Sequence, residues 1–315
     1  MKKLERITLV TLLIAVLLWT AAIPCFAEVP PTYWTDYADT DWDGDGTESS
    51  PYLITSAAEL AGLAKLVNGI PAPTSADTDP TVPKDWMGHA NHFNGKYFKL
   101  TDDLDLSAHY WIPIGYDFMG GFRRTFCAFE GCFDGNEKEI TGLKIDNTLE
   151  GAGSMYKKAI GLFGVVGGTG AQTYGSASDN EPASYYANHS YIKDLSVKGT
   201  INLKGAPEKG LFAGGLVAAA YSCDITNCSA DIDFDLVKQT TESKYECLKV
   251  ATLCGQVTEG SIIGCSSKGA IDANLSVNAY SDIHFGGIVG DYRAFLSSLT
   301  ISGCTMIRIS RSTHP

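Results

Sequence analysis

The chain has 315 residues, of which 44% are hydrophobic and 19% charged, with 33 glycines and a formal net charge of −12. That length holds one large or two small domains, and the glycine-punctuated, weakly charged composition excludes a disordered or long-helical chain. No basic stripe is present, which excludes a nucleic-acid partner.

The first residues read as an export signal. Met1-Lys2-Lys3-Leu4-Glu5-Arg6 is a basic start, residues 7–23 are apolar and uncharged, and Cys25-Phe26-Ala27 fits a small-x-Ala cleavage site. The apolar run of 17 residues sits at the short limit of a membrane span. Residues 1–27 are therefore read as a removed signal peptide rather than a retained anchor, with no membrane insertion of the mature chain. Cleavage after Ala27 takes the net charge from −12 to −14 and leaves eight cysteines.

Residues 28–50 are read as a leader and turn. Asp41, Asp43 and Asp45 alternate before Gly46 as in a calcium loop, but Tyr52 stands where such a loop needs a bidentate Glu. A glycine turn entering a strand is the better reading. Residues 51–145 are read as an N-terminal cap followed by the first coils. A short strand at 51–54 precedes Ser56-Ala57-Ala58-Glu59, a capping box. Leu60, Leu63, Ala64 and Val67 then mark one helical face, and Asn68-Gly69 stops it. One strand and one amphipathic helix suit a cap over the open end of a solenoid. Residues 70–92 are a proline-bearing insertion. Short strands at 97–100, 104–106, 111–115, 129–136 and 140–145, punctuated by Gly, Asn and Asp, predict an all-β chain.

Residues 146–309 repeat. Ala159-Ile160-Gly161-Leu162-Phe163-Gly164-Val165-Val166 returns as Gly214-Gly215-Leu216-Val217-Ala218, as Thr252-Leu253-Cys254-Gly255-Gln256-Val257 and as Phe285-Gly286-Gly287-Ile288-Val289-Gly290. Gly161, Gly215, Thr252 and Gly287 then lie 54, 37 and 35 residues apart. A second strand recurs in step, taking Leu143, Leu195, Cys228, Cys265 and Cys304 as equivalent. Two strands per unit, pointing the same way each time, predict parallel stacking of coils. Residues 167–188 are read as a loop grafted on one coil. The cysteines in Ile225-Thr226-Asn227-Cys228, Ile262-Ile263-Gly264-Cys265 and Ile301-Ser302-Gly303-Cys304 read as a column of small buried residues. A bridge within Cys127/Cys132 or Cys223/Cys228 would need a turn between the partners.

These residues carry a resemblance. Gly161-Leu162-Phe163-Gly164 resembles the GLUG motif of bacterial surface and secreted proteins. Gly46 to Ile54, Leu100 to Ser107, Trp111 to Gly115 and Phe133-Asp134-Gly135-Asn136 are similar, in order, to the region preceding such repeats. The resemblance spans residues 42–306 and departs from the motif at Gly214-Gly215-Leu216-Val217 and Leu253-Cys254-Gly255. It implies a right-handed parallel β-helix, related in architecture to pectate lyases, in an exported and often adhesin-like bacterial protein. It also implies kinship with the non-catalytic N-terminal parts of immunoglobulin-A-cleaving metallopeptidases. Under it, Gly161, Leu162, Phe163, Gly164, Gly215, Leu216, Gly287, Ile288, Val289 and Gly290 are structural repeat positions.

Chemistry-bearing motifs are scarce. The sequence has no His-Glu-x-x-His, no Gly-x-Ser-x-Gly elbow and no phosphate-cradling loop, and His89, His92 and His109 lack a ligand-bearing helix. No metal, cofactor or catalytic residue is assigned. Asp102, Asp103 and Asp105 could form a carboxylate cluster, but their alternation with Leu104 and Leu106 is that of a half-exposed strand. The sequence thus points to a non-catalytic exported module for adhesion, for binding an extracellular glycan or host or cell-surface protein, or for spacing. The alternatives are a polysaccharide lyase or glycosidase on a β-helix, or the non-catalytic N-terminal part of a larger surface protease. Tyr185, Tyr186 and Tyr191 are the candidate ligand contacts. Residues 310–315 form a tail with no capping element, as expected of a portion of a longer protein.

Overall fold

The computed structural model describes residues 31–69, 92–120, 123–146, 159–167, 190–203, 211–237, 246–274, 281–292 and 299–307. The signal region, nearly all of the two insertions, Tyr185, Tyr186, His89 and the tail lie outside the described residues.

Alternation of inward apolar and outward polar residues winds this chain into an all-β solenoid. The N-terminal end holds a 3-10 turn at Trp34–Tyr37, β1 (Tyr52–Ile54) and the α-helix α1 (Ala57–Asn68). The first coils carry β2 (Tyr97–Leu100), β3 (Leu104–Asp105), an antiparallel hairpin of β4 (Tyr116–Gly120) and β5 (Arg123–Cys127), β6 (Cys132–Asp146), β7 (Ala159–Ile160) and β8 (Phe163–Val166). The middle coils carry β9 (Ser190–Asn202), β10 (Leu211–Gly214), β11 (Val217–Thr226), β12 (Ser229–Val237), β13 (Glu246–Ala251) and β14 (Cys254–Ile263). The last carry β15 (Ser266–Lys268), β16 (Ile271–Asn274), β17 (Ser281–Gly286), β18 (Val289–Tyr292), β19 (Leu299–Ser302) and β20 (Thr305–Met306).

Among the described strands, every pairing except that hairpin is parallel between successive coils. One sheet runs β1-β2-β6-β9-β11-β14-β18 with further strands joined along it, and a second runs β17-β13-β10-β7. The register builds vertical columns. Tyr52, Phe98, Phe133, Ile192, Ile225, Ile262 and Ile301 stand one above another. Phe133, Ile192, Ile225 and Ile262 are fully buried, while Ile301, on the last described rung, is 48% exposed. Each inner residue is covered by its own column, so burial is assembled coil by coil.

The glycine-flanked run is not one strand of a two-strand unit. Its glycine and leucine form a bend between the two sheets: β7 ends before Gly161-Leu162 and β8 begins at Phe163. The same break falls at Gly215-Leu216, Thr252-Leu253 and Gly287-Ile288. Consecutive bends touch through their backbones, with Leu162 N–H donating to Gly215 O at 3.2 Å and Gly215 N–H to Thr252 O at 3.0 Å. A Cβ on Gly215 would lie 2.3 Å from Thr252 O, so glycine is required there by proximity. After the bend a coil passes through two more strand segments, giving more straight sides than two.

A second corner sets the winding. Asp194, Asn227, Gly264 and Gly303 have φ of 52°, 53°, 65° and 63° and occupy one column, next to the paired Lys193, Thr226, Ile263 and Ser302. Asp, Asn and Gly are the residues that tolerate the left-handed region. Asn227 Nδ2 also donates to Asp194 Oδ1 at 3.1 Å, tying one corner to the next.

Leu143 is out of step with the column assigned to it. Lys138, not Leu143, pairs with Leu195, and Leu143 pairs with Gly199. The cause is two register shifts in β6, where Asn136, Glu137 and Gly142 take positive φ and β6 carries extra residues.

At the N-terminal end the capping box is formed. Glu59 N–H donates to Ser56 Oγ at 3.2 Å and Ser56 N–H to Glu59 Oε2 at 3.1 Å. Leu60, Leu63, Ala64 and Val67 are fully buried, and Gly69 ends the helix at φ 62°. Buried Asn68 then locks α1 to the first bend, its Nδ2 donating to Pro113 O at 2.9 Å while Gly115 N–H donates to its Oδ1 at 2.8 Å. Trp111 Nε1 donates to Leu162 O at 2.9 Å, extending that lock to the next coil.

One column gives a controlled comparison. Ile225→Ala should cost about 3 kcal/mol and Ile301→Ala less than about 1 kcal/mol, because only the first leaves a sealed cavity. Urea unfolding of the two variants reads the difference; equal losses would contradict column-by-column burial.

Candidate functional site

The outer face of the first coils carries the aromatic feature. Tyr97, Cys132 and Tyr191 are successive rungs of one column, continued by Asp224 and Ser261. Their neighbours Phe98, Phe133 and Ile192 point inward, so this column points out. Cys132 is small, and the rings of Tyr97 and Tyr191 meet over it with centroids 6.4 Å apart at 63°. Lys193 Nζ lies 5.6 Å from the Tyr191 ring centroid and 3.1 Å from Asp134 Oδ2. Below them Lys96 Nζ lies 5.9 Å from the Tyr52 ring centroid.

The electrostatics keep this face protonated. Burial, followed by the Cys132 thiol and the Asp134 carboxylate, pushes the Tyr191 phenol up. Cys132 and then Glu48 push Tyr97 up, and burial raises Cys132 itself to about 11. Both phenols therefore keep their hydroxyl protons near neutrality and can donate hydrogen bonds.

The acidic residues considered for catalysis are engaged in hydrogen bonds of the scaffold. Asp102 Oδ2 accepts from Thr101 Oγ1 at 2.8 Å, Asp103 Oδ1 from Glu139 N–H at 2.8 Å, and Asp105 Oδ1 from Ser107 N–H at 2.8 Å. The Asp41–Asp45 stretch is a turn, with Gly44 and Gly46 at positive φ and Asp45 Oδ1 accepting from Thr47. His92 Nδ1 contacts Ala128 O at 3.0 Å, whereas His109 stacks on Tyr37 and contacts Thr32 Oγ1. Among the described residues, no group of three or more His, Cys, Asp or Glu is placed to hold a metal.

A charged cluster escaped the sequence reading. Lys249 is 1% exposed, with Nζ 2.7 Å from Asp282 Oδ1 and 3.9 Å from Asp291 Oδ2. His284 bridges the same carboxylates, Nε2 at 3.0 Å from Asp282 and Nδ1 at 3.2 Å from Asp291, and Gln256 Nε2 donates to Asp291 at 3.3 Å. The register explains the grouping. Ala159, Phe212, Lys249 and His284 form one outer column; Val165, Ala219, Gln256 and Asp291 form the column facing it across the bend. In the earlier coils this corner is filled by Ala128, Ala159, Val165, Phe212 and Ala218, and in the later coils by charges. In sequence, Leu248-Lys249-Val250 reads as an ordinary half-exposed strand; only the meeting of two sheets buries the lysine.

No family profile matches the sequence. The chain is 28% identical over 196 residues to a proposed Gly-rich membrane protein from Evansella cellulosilytica, a match covering 60% of this chain and 15% of that protein's length. The crystal structure of a proposed immunoglobulin A1 protease from Bacteroides ovatus aligns over 84% of this chain and 77% of its own, at 15% identity and a TM-score of 0.33.

Two expectations follow from the charges. Lys249→Met should change stability by no more than about 1 kcal/mol, while Asp282→Ala, which leaves the buried ammonium with the more distant Asp291, should cost about 2 kcal/mol; urea unfolding compares them. Hydrogen bonds from Ser107 hold the Asp105 carboxyl below its ordinary 3.8. Its depressed value means that it stabilises the fold above that pH and that the contribution is lost as pH falls through the lowered value. Asp105→Asn should therefore flatten the acid limb of a stability-against-pH profile.

Proposed function

We propose that this chain is a non-catalytic module of an exported bacterial surface protein, and that the outer face around Tyr97 and Tyr191 binds glycans. The observation that carries the reading is the tyrosine pair closed over Cys132 beside the Lys193–Asp134 ion pair. Sugar rings lay their C–H faces on aromatic rings, and phenol, ammonium and carboxylate groups then bond their hydroxyls. Tyr185 and Tyr186, which lie outside the described residues, are proposed as further ligand contacts from their place in sequence alone.

The surface location is supported by the signal-like residues 1–27 and by the name of the Evansella relative. A non-catalytic role is supported by Asp102, Asp103 and Asp105, each spent on a local hydrogen bond rather than aimed at a common point. The parallel coils, each rising by ~4.8 Å, suit a spacer that holds such a face away from its anchor.

A glycan array probed with the mature chain tests this. Reproducible binding, weakened at least about tenfold in Tyr97→Ala/Tyr191→Ala as expected for the loss of a stacking pair, is the expected result. Chain scission of an acidic polysaccharide with new unsaturated ends would replace it with the lyase reading.

A further inference from the structure

Cys228, Cys265 and Cys304 stand in one column immediately after the left-handed corner, with Leu195 beneath them. Their register is fixed by the flanking pairs Ser229 with Ser266 and Ser266 with Thr305. Each sulfur is held alike: Cys228 Sγ lies 3.6 Å from Ile192 O, Cys265 Sγ 3.5 Å from Ile225 O, and Cys304 Sγ 3.5 Å from Ile262 O.

The lower two are in direct contact. The Cys228 amide donates to Cys265 Sγ at 3.4 Å. Burial pushes the Cys228 thiol up. Neighbouring strands lie ~4.8 Å apart, inside the ~4.4–6.8 Å Cα separation a disulfide accepts. Both residues also lie outside the strands proper, at a corner where the backbone can adjust. The cysteines outside this column face no other cysteine across a strand pair: Cys254 pairs with Val217, Cys223 with Gly260, Cys127 with Tyr116, Cys132 with Tyr97 and Cys247 with Asp282. All eight described cysteines are thiols in this structure.

We propose that Cys228 and Cys265 close a disulfide when the chain folds in an oxidising medium, stapling one coil to the next. The oxidant is a small-molecule disulfide such as oxidised glutathione. The Cys265 thiolate attacks one of its sulfurs and expels one glutathione thiolate, leaving a mixed disulfide. The Cys228 thiolate then attacks the Cys265 sulfur and expels the second glutathione. Two protein thiols are oxidised, one glutathione disulfide is reduced, and the two thiol protons pass through solvent to the expelled thiolates. Because Cys228 and Cys265 are each 1% exposed, the exchange precedes closure of the coil. The folded chain then shields the bond from reductants. The bond closes a loop between positions 37 apart that includes β12, β13 and β14, one full circuit of the solenoid.

The test is refolding of the purified chain from urea, with glutathione redox buffer or with excess reductant, followed by alkylation and non-reducing peptide mapping. The expected product has lost two hydrogens, yields a peptide linking Cys228 to Cys265, and unfolds at higher urea than the reduced chain. The link should persist in Cys304→Ser and vanish in Cys265→Ala. A Cys265–Cys304 link, or alkylation of both Cys228 and Cys265 after oxidative refolding, would overturn the proposal; both are read in the wild-type chain, whatever the folding of the variants.

Discussion

Everything in this molecule depends on successive coils turning their corners at the same height. A strand side chain alternates faces with every residue, so a coil that turned one residue early would send its isoleucines into water. The left-handed column of Asp194, Asn227, Gly264 and Gly303 prevents this by fixing one corner. The touching bends at Gly161, Gly215, Thr252 and Gly287 fix another. Between them the inward columns from Phe98 to Ile262 stay in register without long-range instruction. Each coil needs only to match its neighbour, so local pattern can determine a stack of any height.

This explains how much of the fold was legible in sequence. The parallel all-β stack, the helical cap and the recurrence of the bend all follow from repeats or capping residues that adjacent positions reveal. What was misread depends on geometry between coils. The bend reads as strand because Leu162 and Phe163 are both apolar, yet Leu162 lies in the break between the sheets and Phe163 opens the next strand. Leu143 was misaligned because β6 absorbs extra residues at Asn136, Glu137 and Gly142, and a bulge leaves the apolar alternation around it looking regular. Of the candidate ligand residues only Tyr191 falls among those described, and its partner Tyr97 is invisible to spacing. Two coils and an insertion separate them in sequence, and a small cysteine brings them together.

The same stacking decides what the outside can do. Interior positions are interchangeable hydrophobes, whereas an outward column is free to vary from rung to rung. Tyr97, Cys132, Tyr191, Asp224 and Ser261 share one column yet differ in every property, so the aromatic character is confined to the early coils. A binding face on such a scaffold is a local patch, positioned rigidly by columns that carry no chemistry themselves. The hydrogen bonds at Asp102, Asp103 and Asp105 belong to the scaffold too: Asp102 takes the neighbouring Thr101 hydroxyl, Asp105 the Ser107 amide within its own turn, and Asp103 the Glu139 amide of the next coil.

The outer corner changes character along the stack. At the N-terminal end apolar surface is sealed, by α1 and by the buried amide of Asn68. Toward the last described coil the cover thins, and Phe285, Ile301 and Met306 are 45%, 48% and 61% exposed. Along the same direction the outer corner changes from Ala159 and Phe212 to Lys249 and His284, facing Gln256 and Asp291 instead of Val165 and Ala219. The charged network fills the same space, satisfies its own hydrogen bonds and leaves Asp282 and His284 at the surface in water. The cluster is thus best understood as the polar end of a column whose other end is core. The two carboxylates and the imidazole around Lys249 account for a lysine buried to 1% at this corner.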